Sequence, residues 1–476
     1  MQSVGLPPIS DEFMEAELGD ARRVARLCKL SEAMAIAPGG SLPRQADDDA
    51  ELEATYRFLG NPDVSPEAVL QAHVRKTQKR AAEHNHVLVL HDTTKFSFSG
   101  TKKREGLGRI TCDRQQGFLA HASLCVSPAG EPLGLVELMA WTRGSARKGR
   151  TSQYDPDRES LRWHELAHSV EELLHGHTQV IHVMDREGDA YELLADLLEH
   201  DARFVVRVCH NRRLDKDKRS QGSPMLFDTL AAAPARFDRE VILGKRKRAF
   251  SAKKRKVFPS RESRTTRLEA RAQRIEIAIG NGAPAHLPPT LELNFVDVRE
   301  TEPPEGASPV VWRLVTTEPI DTPEEVAAIV DTYRQRWLIE EYFKAIKTGC
   351  AYEELQLESA HGLLTALAVY SVVAWRILLL RWLCRAEPEA PAERALSQTQ
   401  LDVLKAERAQ AGRPLPEKPT VQDALYAVAS LGGHHRRREP PGWQTLKHGY
   451  ERLLRLEAGW VLALTVTGAM TRCVER

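Results

Sequence analysis

His86-Val87-Leu88-Val89-Leu90-His91-Asp92 is a short, β-rich apolar run that closes on a carboxylate, and Val180-Ile181-His182-Val183-Met184-Asp185 repeats the pattern further along the chain. A compact apolar run with polar neighbours reads as a strand buried on both faces. Carboxylates that directly follow such strands sit where α/β sheets place their chemistry. Each aspartate could also simply cap the next turn, as in Asp185-Arg186-Glu187-Gly188. Two of them in one core point instead to a shared metal site.

The surrounding pattern is that of a mixed α/β core beginning near Gln71. Gly117 to Val126 and Leu133 to Leu138 read as a hairpin turned by Pro128-Ala129-Gly130. A helix is expected from Glu159 to Leu174, and a further strand over Arg203 to Val208. From about 210 to 310 helical periodicity fades and basic, Pro-containing, strand-like pieces take over. This reads as an insertion, from which the core returns with Val310-Val311-Trp312-Arg313-Leu314-Val315. Before Leu70 the chain reads as short helices, with Asp20 placed to cap Ala21 to Leu27. The last hundred or so residues are mainly helical, with a Pro-rich break near Glu387 to Ala392. The expected division is therefore a helical segment 1–70, a core 71–375 and a helical segment 376–476.

Bulk properties bound the function. At 476 residues the chain is too long for one simple core, and 42% hydrophobic with 28% charged residues is a soluble globular composition. Seven scattered cysteines, with no Cys-x-x-Cys pair, suit a reducing cytoplasm and argue against structural zinc. No basic leader with a short apolar stretch opens the chain, so export is not expected. Leu363 to Cys384 is interrupted by Arg376 and Arg381 and reads as a buried core helix, so no membrane partner is expected. The net charge of +1 is uninformative. Lys245 to Lys256 is densely basic, which fits either a solvated hairpin or a phosphate contact.

A third carboxylate lies on a patterned helix read from Asp331 to Lys347. At about 100° per residue, Tyr333, Arg336, Glu340 and Lys347 share one sector, with Trp337 at its edge. Leu338, Ile339, Tyr342 and Ile346 occupy another, apolar sector, and Glu341 points away. Tyrosine, arginine, carboxylate and lysine on one line suit phosphate and metal; an i, i+4 Arg-Glu pair on a solvated face is the plain alternative. Together, Asp92, Asp185 and Glu340 would hold two magnesium ions about 4 Å apart, the arrangement that serves both the attacking and departing oxygens of a phosphodiester.

These residues resemble bacterial insertion-sequence transposases of the DDE class with a Y-R-E-K signature, the Tn-five type. Tyr, two residues, Arg, three residues, Glu, six residues and Lys is met by Tyr333, Arg336, Glu340 and Lys347. Asp92-Thr93-Thr94 and Asp185-Arg186-Glu187 are similar to the family's aspartate motifs, and Arg203-Phe204-Val205-Val206-Arg207 follows the second. Leu18-Gly19-Asp20 with Arg22, Arg23 and Arg26, and Tyr56-Arg57-Phe58 with Asn61-Pro62, resemble its amino-terminal DNA-binding region. Leu431-Gly432-Gly433 and the helix after Trp443 resemble its dimerisation region. The resemblance implies a ribonuclease-H-like α/β core with a β-rich insertion, an N-terminal helical DNA-end-binding domain and a C-terminal helical dimerisation domain. It implies cut-and-paste transposition: inverted-repeat ends cleaved through a hairpin and joined to target double-stranded DNA by a homodimer, with Mg2+ as cofactor and Mn2+ as a substitute. It further implies that Tyr333, Arg336 and Lys347 grip phosphates, that Trp312 receives a flipped base, and that Arg207 contacts DNA. The implied location is the bacterial cytoplasm, at the nucleoid.

Two rival readings come from the same residues. His164-Glu165-Leu166-Ala167-His168 satisfies the H-E-x-x-H pattern of zinc proteases, but the longer pattern fails at Glu171, and the stretch reads as the solvated face of a core helix. A DNA-binding relic without catalysis would be expected to lose carboxylates, yet all three are present.

Overall fold

The computed structural model describes residues 6–100, 102–110, 115–142, 161–214, 224–245, 260–280, 283–307, 309–435 and 441–474. After a 3-10 turn at Ile9–Glu12, four helices precede the sheet: α1 (Ala21–Ile36), α2 (Leu42–Gln45), α3 (Asp49–Leu59) and α4 (Pro66–Ala81). Asp20 caps α1 as expected, accepting the backbone N–H of Arg22. Strand β1 spans His86–Phe98, β2 Gly108–Arg109, β3 Gln116–Val126 and β4 Pro132–Trp141. Then come α5 (Arg162–Leu174), β5 (Gln179–Met184), α6 (Tyr191–Glu199), β6 (Arg203–Arg207) and α7 (Leu226–Ala232). Strands β7 (Ala235–Leu243), β8 (Arg264–Ala278), β9 (Thr290–Glu300) and β10 (Val311–Thr316) follow. The rest is helical: α8 (Pro323–Gln335), α9 (Trp337–Lys344), α10 (Ala360–Ala386), α11 (Gln398–Gln410), α12 (Val421–Leu431) and α13 (Trp443–Val474).

All described strands form one sheet in the order β2-β3-β1-β5-β6-β10-β9-β8-β7, with β4 also on β3. Within it, β4-β3-β1-β5-β6 is the ribonuclease-H-like unit: β3 runs antiparallel to β1 and β4, whereas β5 runs parallel to β1 and β6. The apolar runs are continuous because both sheet faces are covered. Leu88 and Leu90 enter the main core with the long helices, whereas Val87 and Val89 pack with Val170 and Leu174 of α5. The expected hairpin is present, with Gly130 at φ +86° and its N–H donating to the Ser127 carbonyl at 2.8 Å.

The β-rich insertion expected over about 210–310 is present, and its strands extend the core sheet: β10 pairs with β6, and β9, β8 and β7 follow. Two expectations are corrected. Strand β1 does not stop at His91; it continues along β3 to Phe98, so Asp92 lies within a strand. The helix read from Asp331 begins earlier, at Pro323, behind a Thr322/Glu325 capping box of about 1 kcal/mol. It turns at Arg336, resumes as α9, and ends in a π-turn over Ala345–Gly349, where the Cys350 N–H donates to the Ala345 carbonyl. The basic residues 246–256, Arg436-Arg437-Arg438 and the first residues of the expected helix 159–174 lie outside the described residues.

The divisions expected at 70 and 375 both fall inside helices, α4 and α10. The N-terminal helices are tied to the sheet by a buried cluster. The Glu12 carboxylate accepts from His73 Nδ1 at 2.6 Å and Arg80 Nη1 at 2.9 Å, while His73 Nε2 accepts the Leu135 N–H of β4 at 3.1 Å. Helix α10 is long and apolar enough to cross a membrane, but 94% of its apolar window is buried inside the protein, among α1, α3, α4 and β4.

Candidate active site

Strands β1 and β5 place the first two carboxylates. Their parallel register sets His91 opposite Met184, so the next residues, Asp92 and Asp185, stand side by side on the same face, with about 5 Å between strands. Each is locally fixed. The Asp92 carboxylate accepts the Thr93 N–H at 2.8 Å, and Asp185 caps a short 3-10 turn by accepting the Glu187 N–H at 2.8 Å. The plain cap interaction is therefore real for Asp185, whereas Asp92 sits inside its strand and caps no turn.

Helix α9 brings the third. The Arg336 guanidinium, at the turn between α8 and α9, pairs with Glu340 one helical turn on and lies 3.7 Å from Asp92 Oδ2. One buried cation thus links the helix carboxylate to the strand carboxylate. Glu341 is turned away, held 3.2 Å from Arg381 of α10. Burial, then the charge of Asp185, pushes the Asp92 carboxyl up to about 7, with Arg336 opposing and Glu340 adding to the rise. Three acidic groups share one partly dry space, with the Arg336 guanidinium the cation paired to two of them.

The rest of the patterned helix surrounds this space. Tyr333 is buried edge-on to Trp312, ring centres 5.5 Å apart, and burial raises its hydroxyl pKa despite Arg336 and Arg207. Arg207 ends β6 near the Val311 carbonyl. The π-turn does not carry Lys347 away from the site: its Nζ donates to Thr94 Oγ1 at 2.8 Å and to the Lys95 carbonyl at 2.6 Å, and burial lowers its pKa. Trp337 is 60% exposed, an unusual position for so large an apolar ring.

The predicted N-terminal arginines are not gathered into this space. Arg22 is exposed but chelated to Asp20; Arg57 is exposed near Glu53; Arg23 reaches Asp63, and Arg26 lies 3.7 Å from Glu51. Arg22 and Arg57 are the two that face solvent most fully.

The sequence reading missed a layer of histidines beneath the aspartates. One residue along each strand points to the opposite face, so His91 and His182 lie between the sheet and α5. His91 Nε2 is 2.9 Å from His182 Nδ1 and His91 Nδ1 is 3.3 Å from His121 Nε2; His121 Nδ1 meets Thr93 Oγ1 at 2.9 Å, and His182 Nε2 meets Glu171 at 3.0 Å. Burial holds His91 far below its ordinary pKa and His121 at about 3, and the hydrogen-bonded rings brace β1, β3 and β5. The signal available was a histidine inside each of three apolar strand runs.

Three carboxylates gathered at neighbouring strands of a ribonuclease-H-like sheet form a set suited to nucleic-acid phosphoryl transfer. Comparison with protein families narrows this: residues 160–374 match the transposase DDE domain, and residues 9–64 match the transposase DNA-binding domain. The chain carries both domains and is a DNA transposase. Asp185 and Glu340 fall within the DDE match. Asp92 precedes it, and joins the site through the β1–β5 register.

Proposed function

We propose that this transposase works by cut and paste: it binds inverted-repeat ends, frees a 3′-hydroxyl by hydrolysis, forms and reopens a hairpin, and joins the 3′-ends to target DNA. The observation that carries the reading is the convergence of Asp92, Asp185 and Glu340 around Arg336. The donor set is all carboxylate, as hard cations require, and the raised Asp92 carboxyl marks a site wanting positive charge. Asp92, Asp185 and Glu340 would hold Mg2+, two ions per site with Mn2+ as substitute, and the metal would activate the attacking oxygen and neutralise the departing one.

The chain's own groups do the positioning. Arg336 and Lys347 flank the carboxylates and supply phosphate contacts without competing for metal. Tyr333 and Arg207 extend that surface, and Trp312 beside Tyr333 is the stacking partner for a flipped base, with Trp337 a second exposed ring. Arg22, Arg23, Arg26 and Arg57 mark the end-binding surface, where Arg23 and Arg26 would exchange their carboxylates for phosphates. Residues 1–70, 71–375 and 376–476 act in end binding, catalysis and dimerisation. Support for a homodimer is the outer half of α13, which exposes Trp460, Val461, Leu462, Leu464 and Val466. The reaction would take place in the bacterial cytoplasm at the nucleoid.

The test is linear DNA carrying the inverted repeats that flank the gene, incubated with purified protein and Mg2+ and resolved on denaturing gels. Hairpin-sized products that require metal and vanish in Asp185→Ala are expected. Cleavage that persists in that variant, or binding without cleavage, overturns the reading.

A further inference from the structure

The H-E-x-x-H stretch lies on the solvent side of a core helix, as its sequence suggests, and there it meets a neighbouring helix. His164 and His168 lie one turn apart on α5, and they meet a second pair one turn apart on the neighbouring α6: Asp196, and His200 at the helix end. The Asp196 Oδ2 lies 2.9 Å from His168 Nε2 and 3.3 Å from His164 Nδ1, and its Oδ1 lies 3.6 Å from His200 Nδ1. Ligand atoms of His168, Asp196 and His200 all fall within 4.8 Å of one another. Donors bound at 2.0–2.1 Å around a tetrahedral ion stand about 3.4 Å apart, so small rotamer changes would close the set.

We propose that His168, Asp196 and His200, with His164 as a fourth donor, bind one zinc-class divalent ion. Among the described residues the ion-pair partners of Asp196 are these three histidines, so the carboxylate and the imidazoles converge on one point. One carboxylate with three imidazoles around it is a donor set of the kind zinc-class ions take. His200 Nδ1 also lies 2.8 Å from the Asp196 carbonyl. That contact fixes the ring beside the Asp196 carboxylate. The side chains of His168 and His200 are 44% and 54% exposed, giving an ion direct access.

Imidazole selects Zn2+, Co2+ and Ni2+ over Mg2+, so this site is chemically separate from the three carboxylates and shares no residue with them. Its place in the fold indicates its role. Helix α5 enters β5 and α6 leaves it, and Asp185 stands at the end of that strand. An ion bridging α5 to α6 staples the two connections that frame Asp185. It is a structural clamp and not a hydrolytic centre.

The experiment uses the full chain, stripped with a chelator and kept in millimolar Mg2+ to occupy the carboxylates. Co2+ is titrated while its visible absorption is followed, and Zn2+ is titrated against a chromogenic indicator. One equivalent per chain is expected for wild type and for Asp185→Ala. At least a tenfold loss of affinity is expected in His168→Ala and in His200→Ala, with unchanged far-UV circular dichroism. Wild-type protein without bound ion, binding that survives both histidine changes, or binding abolished by Asp185→Ala would each overturn the proposal.

Discussion

Neutralising Asp92 should stabilise the metal-free protein while destroying its response to metal. Burial and the charges of Asp185 and Glu340 raise this carboxyl from 3.8 to about 7. A folded pKa above the unfolded one is a stability contribution fully present below 3.8 and lost as pH rises through 7. At about 1.4 kcal/mol per pH unit, the ionised side chain costs the metal-free fold about 4 kcal/mol above pH 7. An asparagine keeps the shape and the Thr93 contact but carries no charge. Unfolding entropy of about 2 cal/mol/K per residue gives roughly 1 kcal/mol/K for a chain of this length, so that cost is about 4 °C in Tm.

The assay is thermal unfolding of wild type and Asp92→Asn in chelator, from about pH 5 to pH 8. The variant's Tm advantage should grow by about 3 °C between pH 5 and pH 7 and then level off. Adding Mg2+ should raise the wild-type Tm at pH 8 and leave the variant nearly unmoved, because bound ligand stabilises only a fold that binds it. Parallel Tm curves for the two proteins across this range would refute the electrostatic reasoning. An equal Mg2+ response would refute the assignment of Asp92 as a ligand.

Three further outcomes follow from named contacts. Glu12→Ala strands buried His73 beside Arg80 and should cost about 3–5 kcal/mol, a fall of about 3–5 °C in Tm; a change below 1 °C would contradict it. Burial opposes ionisation of Glu12, but His73 and Arg80 hold its carboxyl far below 4.5, so its contribution is present above that pH and fades as acid is added. The neighbours Glu340 and Glu341 should separate cleanly: Glu340→Gln abolishes cleavage, whereas Glu341→Gln lowers stability by about 1–3 kcal/mol through Arg381 and keeps the metal requirement, as gels and unfolding curves together would show. Trp337→Ala removes an exposed ring, so Tm should barely move while affinity for end DNA falls by about 1–3 kcal/mol in fluorescence anisotropy at fixed salt; unchanged affinity would remove Trp337 from the DNA surface.

What could be read from the chain depended on whether a signal was local. The runs Val87 to Leu90 and Val180 to Met184 are buried on both faces, so each announces itself as a strand and places an aspartate at its end. The continuation of β1 through Thr93 to Phe98 carries no such run, because beyond Asp92 only β3 pairs with it and several side chains are half-exposed. The strands β8 and β9 read only as strand-like pieces of an insertion because basic and polar residues dilute them. Yet Leu268, Ala270 and Ala272 alternate inward on β8, and that alternation is what lets it extend the core sheet. The stripe of Tyr333, Arg336, Glu340 and Lys347 was legible from 3.6-residue periodicity, but the turn at Arg336 and the π-turn at Lys347 were not. Both are backbone departures that the strand partners of those side chains hold in place: Asp92 for Arg336, and Thr94 with Lys95 for Lys347. The same limit applies to the histidines. One helix displays His164 and His168, but nothing local says that a second helix, more than a strand away in the chain, offers Asp196 and His200 to the same point. Pairs on one element are written in its period; constellations across elements are written only in packing, and it is there that both the carboxylate link through Arg336 and the proposed metal clamp are found.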